Sequence, residues 1–169
     1  TSRMRRTGEH GHLDRVIEYE PADLTATVEA GIRLDHLQRT LGEHGQWLAL
    51  DPPGGPTMTL GGVLAANASG PARHAFGSAR DLVIGMTVVT AGGEVVKSGG
   101  RVVKNVAGYD MAKLHIGALG TLGVIVQASF KVSPLPARTL TLRASGENAA
   151  IVFAAAHALG GAGLAVTGL

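Results

Sequence analysis

At 169 residues, 45% of them hydrophobic, the chain is long enough for one domain with its own core. Its formal charge of +2 is too small and too dispersed to mark a nucleic-acid or anionic-membrane binder, and one Trp, two Tyr and three Phe offer few platforms for stacking bases. With no cysteine there is no disulfide framework, no thiolate nucleophile and no iron–sulfur ligation within this chain, which fits a reducing, cytoplasmic setting. The 25 glycines stand at about twice the usual share of roughly 7%. A positive mean hydropathy of +0.20 separates them from a disordered linker, so they require a structural reason.

The chain opens in a basic stretch (Arg3, Arg5, Arg6) with no apolar run behind it, which does not read as an intact secretory signal. LTATVEA, Leu24 to Ala30, alternates apolar and polar residues and predicts a half-exposed strand. Leu34, Leu37 and Leu41 recur at helical spacing over Leu34 to His44, with Asp35 in the first turn and Gly45 as the stop. Trp47 to Leu50 is a short apolar return. Three prolines in DPPGGPTMT remove donors and exclude regular structure. A short helix is expected over Leu60 to Ala68, opened by Gly61-Gly62, then a polar loop from Asn67 to Gly77. Leu82 to Thr90 and Glu94 to Lys97 flank Ala91-Gly92-Gly93 as a hairpin. Tyr109 to Ile116 reads as helix and Gly123 to Val132 as a strand, with Pro134 and Pro136 at a boundary. The uncharged stretch Ala149 to Leu169 is long enough for a bilayer span of about 20 residues, but its glycines and alanines leave it weakly apolar. It reads instead as a helix from Glu147 to Leu159, a Gly-Gly stop and an incomplete strand from Leu164 to Leu169. Residues 1–136 thus form one domain and residues 137–169 the start of another.

Three segments carry chemistry. The first runs from Asp51 to Gly70, where glycines 54, 55, 61, 62 and 70 let main-chain N–H groups approach a ligand. A Gly-Gly pair opening a helix points donors at an anion. Thr59, Asn67 and Ser69 add neutral donors, and no Lys or Arg intervenes, so backbone donation is favoured over a cationic clamp. A glycine-rich packing loop is the plainer reading of any one Gly-Gly; the density of glycine, proline and Asn-Ala-Ser-Gly favours a ligand. Neither G-x-G-x-x-G nor G-x-x-x-x-G-K-[ST] occurs. The second segment, Gly117 to Gly123, has glycine at every third position leading into Val124 and Ile125, which suits either a planar ring or a tight helix-to-strand turn. In the third, Lys104 to Asp110, Asp110 reads first as a cap and Tyr109 as an anchor. His10 and His12 belong to a solvated tail, and His36, His44 and His157 are single residues on helices. His74, beside Arg73, is better placed to meet a ligand edge. Arg73 and Arg80 could neutralise phosphate or an acidic substrate, although surface arginines are common. No catalytic pair or metal set stands out.

The stretches LDPPGGPTMTLGGVLAANASGPARHAFGSARDLVIGMTVVTAGGEVV and GGRVVKNVAGYDMAKLHIGALGTLGVI carry a family likeness. From about Val16 to Pro136 the chain resembles the FAD-binding domain shared by the vanillyl-alcohol-oxidase and MurB-like flavoproteins, and within it the branch of glycolate oxidase FAD-binding subunits. The resemblance implies an α+β, PCMH-type fold of two α+β subdomains with FAD between them, followed by a substrate or cap domain. The family's N-terminal glycine-rich phosphate loop has no match in this sequence, so a fold truncated at both ends is expected. Also implied are pyrophosphate and ribityl contacts from Pro52, Gly54, Thr59, Gly61 and Gly62 and from Asn67, Ser69 and Gly70. Flavin or adenine contacts are implied near Gly120, Gly123, Val124 and Ile125. The implied reaction is hydride transfer from a small 2-hydroxy acid such as glycolate to flavin N5. Implied partners are a second flavin subunit and an iron–sulfur subunit, through which the protein would sit peripherally at the inner membrane. Two alternatives stand beside this. One is a non-catalytic assembly subunit that binds no cofactor or only a nucleotide. The other is a MurB-type reductase using NADPH and an enolpyruvyl sugar nucleotide, which the match around Lys104 to Asp110 disfavours.

Overall fold

The computed structural model describes residues 13–100, 111–143, 145 and 148–162. Strand β1 (Val16–Glu20) folds back through a turn, in which Leu24 takes a φ of +56°, onto β2 (Thr25–Glu29). Helix α1 (Leu34–Gly42) buries Leu34, Leu37 and Leu41 and ends before Gly45, whose φ of +66° is the left-handed conformation glycine adopts freely. Strand β3 (Gln46–Trp47) and helix α2 (Leu60–Ala66) follow, the second starting from Thr59. Two short helices come next, α3 (Arg73–Phe76) and α4 (Ala79–Leu82), the latter held by a reciprocal capping box between Ser78 and Asp81. Then come the hairpin β4 (Val83–Val89) and β5 (Val95–Gly99), α5 (Ala112–His115), β6 (Val124–Lys131), β7 (Ser133–Pro134) and α6 (Ala149–Gly160).

Five strands form one antiparallel sheet in the order β1-β2-β6-β4-β5, and β3 pairs with β7. Inserting β6 between β2 and β4 is the step that positions the candidate site, because the turn that leads into this central strand meets the end of α2. The register places Ala26 opposite Phe130, Val28 opposite Ala128, and Ala128 opposite Met86. These residues are buried, together with Ile32, Leu37, Leu41, Leu48, Leu60, Val63 and Leu64. Each large side chain so covered contributes about 1.5–3 kcal/mol.

The expected half-exposed strand at Leu24 to Ala30 is buried on both faces. Its polar residues find partners: Thr27 Oγ1 lies 2.8 Å from Ser129 Oγ, and Glu29 takes the Arg15 guanidinium at 2.8 Å. The loop expected from Asn67 to Gly77 contains α3, and the helix expected from Tyr109 is described only over Ala112–His115. The strand expected at Leu164 to Leu169, the Lys104 to Asp110 segment, and His10 and His12 lie outside the described residues.

Candidate cofactor site

The segment following Asp51 begins with a tight turn in which Gly55 donates to the Pro52 carbonyl at 2.9 Å with a φ of +83°; Pro52 itself is buried. The chain then runs antiparallel to residues 32–35, with Leu34 N–H on Met58 O and Leu60 N–H on Ile32 O, both at 2.9 Å. This bridge delivers Thr59 as the N-cap of α2, where Oγ1 accepts from Gly62 N–H at 3.3 Å.

Here the structure corrects the expected role of the Gly-Gly pair. Gly61 N–H is bonded to Ala30 O at 2.6 Å, and Gly62 N–H serves the Thr59 cap, so neither is a free donor awaiting an anion. Position 61 is glycine for packing: a Cβ there would stand 2.9 Å from Ala30 Cβ and 3.0 Å from Ala30 O. Gly62 differs. It is exposed, and a Cβ would meet only Thr59 Oγ1, at 3.2 Å. A side chain placed there would enter the space in front of the helix. Gly54 approaches only the flexible Met58 side chain.

The C-terminal end of α2 meets the second glycine segment. Asn67 closes the helix in the left-handed conformation (φ +49°), donating to Leu64 O at 3.0 Å, while Ala68 N–H reaches Val63 O at 2.9 Å. Fifty residues on, Gly117 donates to Leu64 O at 3.0 Å and Leu119 to Ala65 O at 2.9 Å. A Cβ on Gly117 would lie 3.3 Å from Asn67 Cβ. The turn thus gives the Ala65 carbonyl a partner at the helix end, adds a second donor to the Leu64 carbonyl, and joins two segments distant in sequence. Leu119 and Gly120 both adopt positive φ (+51° and +78°), and the space beside Gly120 is open. Gly123 is required by packing, since its Cβ would lie 2.7 Å from Val88 Cγ1 and 2.8 Å from Val89 O. From there the strand turns Ile125 into the core and leaves Val124 exposed, as Leu119 and Leu122 are.

Beyond α2, the Asn67–Gly70 loop returns to Asp51. Ala72 N–H donates to Asp51 Oδ2 at 3.0 Å, and a Cβ on Gly70 would collide with the Asp51 carbonyl and lie 2.7 Å from Oδ1. Within this loop Ser69 Oγ is buried and has no hydrogen-bond partner. A buried hydroxyl without a partner costs roughly 1–3 kcal/mol, and an orphan of this kind points to a group that completes it. The residues present therefore fit a ligand held by neutral contacts: the Ser69 hydroxyl, the uncovered backbone at Gly62 and Gly120, and the apolar side chains of the turn. Arg80 is engaged by the Lys113 carbonyl at 2.7 Å, and Arg73 and His74 lie exposed on α3. His36 is exposed on α1, and His44 packs edge-on against Tyr19 with ring centroids 5.3 Å apart. Among the described residues no group of His, Cys, Asp or Glu could hold a metal ion.

Sequence reasoning missed Asp51 as a structural partner, because its contacts lie about twenty residues away across two turns. It also missed the Arg15–Glu29 pair. There, hydrogen bonds from the guanidinium hold the Glu29 carboxyl below its ordinary range, backbone N–H bonds and the Arg15 charge assist, and burial opposes them.

A fold of this kind with these two glycine segments side by side defines a class, and the family comparison agrees: residues 10–99 match the FAD binding domain, and the chain belongs to that family, whose cofactor is FAD. The match takes in Asp51–Gly70 and stops short of the Gly117–Gly123 turn. Among individual proteins, the chain is similar to glycolate oxidase subunit GlcE of Escherichia coli (40% identical over 129 residues, 76% of this chain and 37% of that protein). It is similar also to glycolate oxidase subunit GlcD of Bacillus subtilis (36% over 137 residues, 81% and 29%). The mitochondrial D-lactate dehydrogenase [cytochrome] 1 of Saccharomyces cerevisiae is 30% identical over 124 residues, 73% of this chain and 21% of that protein. A solved structure of alkyldihydroxyacetonephosphate synthase superposes with a TM-score of 0.65 at 29% identity, covering 75% of this chain and 22% of that one. The chain therefore spans little more than a third of these relatives' length at most. Among the described residues no helix is long and apolar enough to cross a membrane.

Proposed function

We propose that this chain is the FAD-binding part of a flavin-dependent oxidase or dehydrogenase of the glycolate type. The observation that carries the reading is the main-chain stitching of the Gly117–Gly123 turn onto the end of α2, which joins the two glycine-rich segments where the loop carrying the unpartnered Ser69 hydroxyl begins. When bound, FAD would supply a hydride acceptor; a 2-hydroxy acid that gives up the hydride of its α-carbon and the proton of its hydroxyl, the latter to solvent, leaves as a 2-oxo acid. The chain's own residues bind and orient. Thr59, Asn67, Ser69 and the backbone at Pro52, Gly54, Gly61, Gly62 and Gly70 form one wall, in which Gly62 offers close approach while Gly61 and Gly70 seat the wall on Ala30 and Asp51. Gly120 and Val124 face the other side of the site, on a turn and strand held in place by Gly123 against Val88 and by Ile125 in the core. The substrate class is supported by the relatives' names, since glycolate, D-lactate and the D-2-hydroxyglutarate of further relatives are all 2-hydroxy acids.

Because the relatives named as glycolate oxidase are subunits, the reading includes a second flavin subunit and an iron–sulfur subunit as partners, and a cytoplasmic place, peripheral at the inner membrane through them. Residues 1–136 then belong to the cofactor domain and 137–169 begin the substrate domain, a division supported by α6, none of whose residues is buried. Anaerobic addition of glycolate or D-lactate to the full-length protein should bleach the flavin absorbance; a flavin-loaded protein that no 2-hydroxy acid reduces overturns the proposal. The internal pairing of the Gly61 and Gly62 amides favours one competitor, a subunit that serves assembly without its own cofactor. Bleaching confined to the complex, with none in the isolated subunit, would support that competitor.

A further inference from the structure

Asp51 is the one acidic residue in a segment that reads as half of a dinucleotide site, where a carboxylate would repel a diphosphate. Its contacts give it another task. Oδ2 accepts the N–H of Ala72, the buried residue from which α3 starts. The Asp51 carbonyl and Oδ1 form the surface on which Gly70 rests, so closely that no Cβ fits between them. The intervening loop is fixed at its other end by Asn67 on α2, and downstream by Phe76, whose ring meets Trp47 edge-on with centroids 5.1 Å apart. Between these anchors lies Ser69, with its buried, unpartnered hydroxyl.

We infer that Asp51 is a positioning residue for the cofactor wall: its side chain takes the Ala72 N–H, its backbone seats Gly70, and together they fix the short loop that carries Ser69. The inference rests on the FAD reading above. A charge-assisted bond to a main-chain N–H is stronger than a neutral one. Gly70 is glycine, on this account, because of Asp51 rather than because of the ligand.

The test uses the full-length protein stripped of flavin, with FAD affinity read by titration, the visible circular dichroism of bound flavin recorded at saturation, and amide exchange over residues 67–77 followed in the apoprotein. Asp51→Asn keeps an acceptor oxygen and should hold FAD within about 3-fold of wild type with an unchanged flavin signal. Asp51→Ala should weaken FAD by roughly 10- to 100-fold, alter the flavin signal even when saturated, and speed exchange across the loop. Gly70→Ala, which leaves Asp51 intact but forces the loop off it, should reproduce the altered signal and keeps the test decisive if Asp51→Ala does not fold. Glu94→Gln on the distant hairpin serves as the control. Wild-type affinity and signal in both Asp51→Ala and Gly70→Ala overturn the inference, as does an Asp51→Asn protein that behaves like Asp51→Ala. Wild-type protein that takes up no FAD overturns the cofactor reading and this inference with it, an outcome distinct from failure of the variants alone.

Discussion

Two neighbouring glycines, 61 and 62, divide the work that their sequence motif suggests they share. Gly61 is pressed against Ala30 and spends its N–H on the Ala30 carbonyl, so Gly61→Ala should destabilise the fold by about 1–3 kcal/mol. A urea titration reads this directly. Gly62 has only the Thr59 hydroxyl nearby. Gly62→Val should therefore leave the unfolding midpoint close to wild type while FAD retention on gel filtration is lost; a variant that keeps its flavin would move the wall away from α2. The glycine content announces that something approaches the backbone closely, and that much is legible in the sequence. What approaches is not, because the neighbours of Gly61, Gly70 and Gly123 (Ala30, Asp51 and Val88) are set by tertiary contacts nineteen or more residues away.

Among elements, those with a strong period or a marked turn were readable: α1 from its leucines, the β4–β5 hairpin from Ala91-Gly92-Gly93, and β6 from its β-branched run. Strands β3 and β7, two residues each, exist only through their pairing and leave no local pattern. The alternation in β2 was real, but a polar face signals exposure only when nothing covers it, and here Ser129 and Arg15 do. The Arg15–Glu29 pair ties the entrance of β1 to the end of β2 through three bonds from Arg15 to the carboxylate. Because the Glu29 carboxyl is held below the ordinary glutamate value of 4.5, its contribution is present above that pH and is lost as pH falls through the lower folded value. Urea midpoints measured from pH 7 to pH 3 should fall for wild type, and Glu29→Gln should start lower and decline less steeply. Some decline remains in the variant, since hydrogen bonds from Arg33 and Ser78 likewise hold Asp35 and Asp81 low. Parallel curves would show that the pair carries no acid dependence.

At the scale of the molecule, the sheet and α1 to α5 share one core, while α6 stands apart. Its sequence, AAIVFAAAHALG, has no charged residue, and Ile151 and Phe153 are 66% and 75% exposed. Helices apolar on all sides are normally covered, and exposed apolar surface of this kind binds hydrophobic dyes and promotes association. Removing residues 137–169 should lower dye fluorescence while leaving the melting temperature of the remainder within a few degrees. A collapse in melting temperature would show that the two parts fold as one.

The stitching of Gly117 and Leu119 to the end of α2 has a thermodynamic consequence. Walls that are locked together before a guest arrives lose little freedom when it settles, so more of the contact energy appears as affinity. Preorganisation of this sort also means that loosening the turn, for instance by lengthening it, would penalise association through entropy without removing any contacting atom.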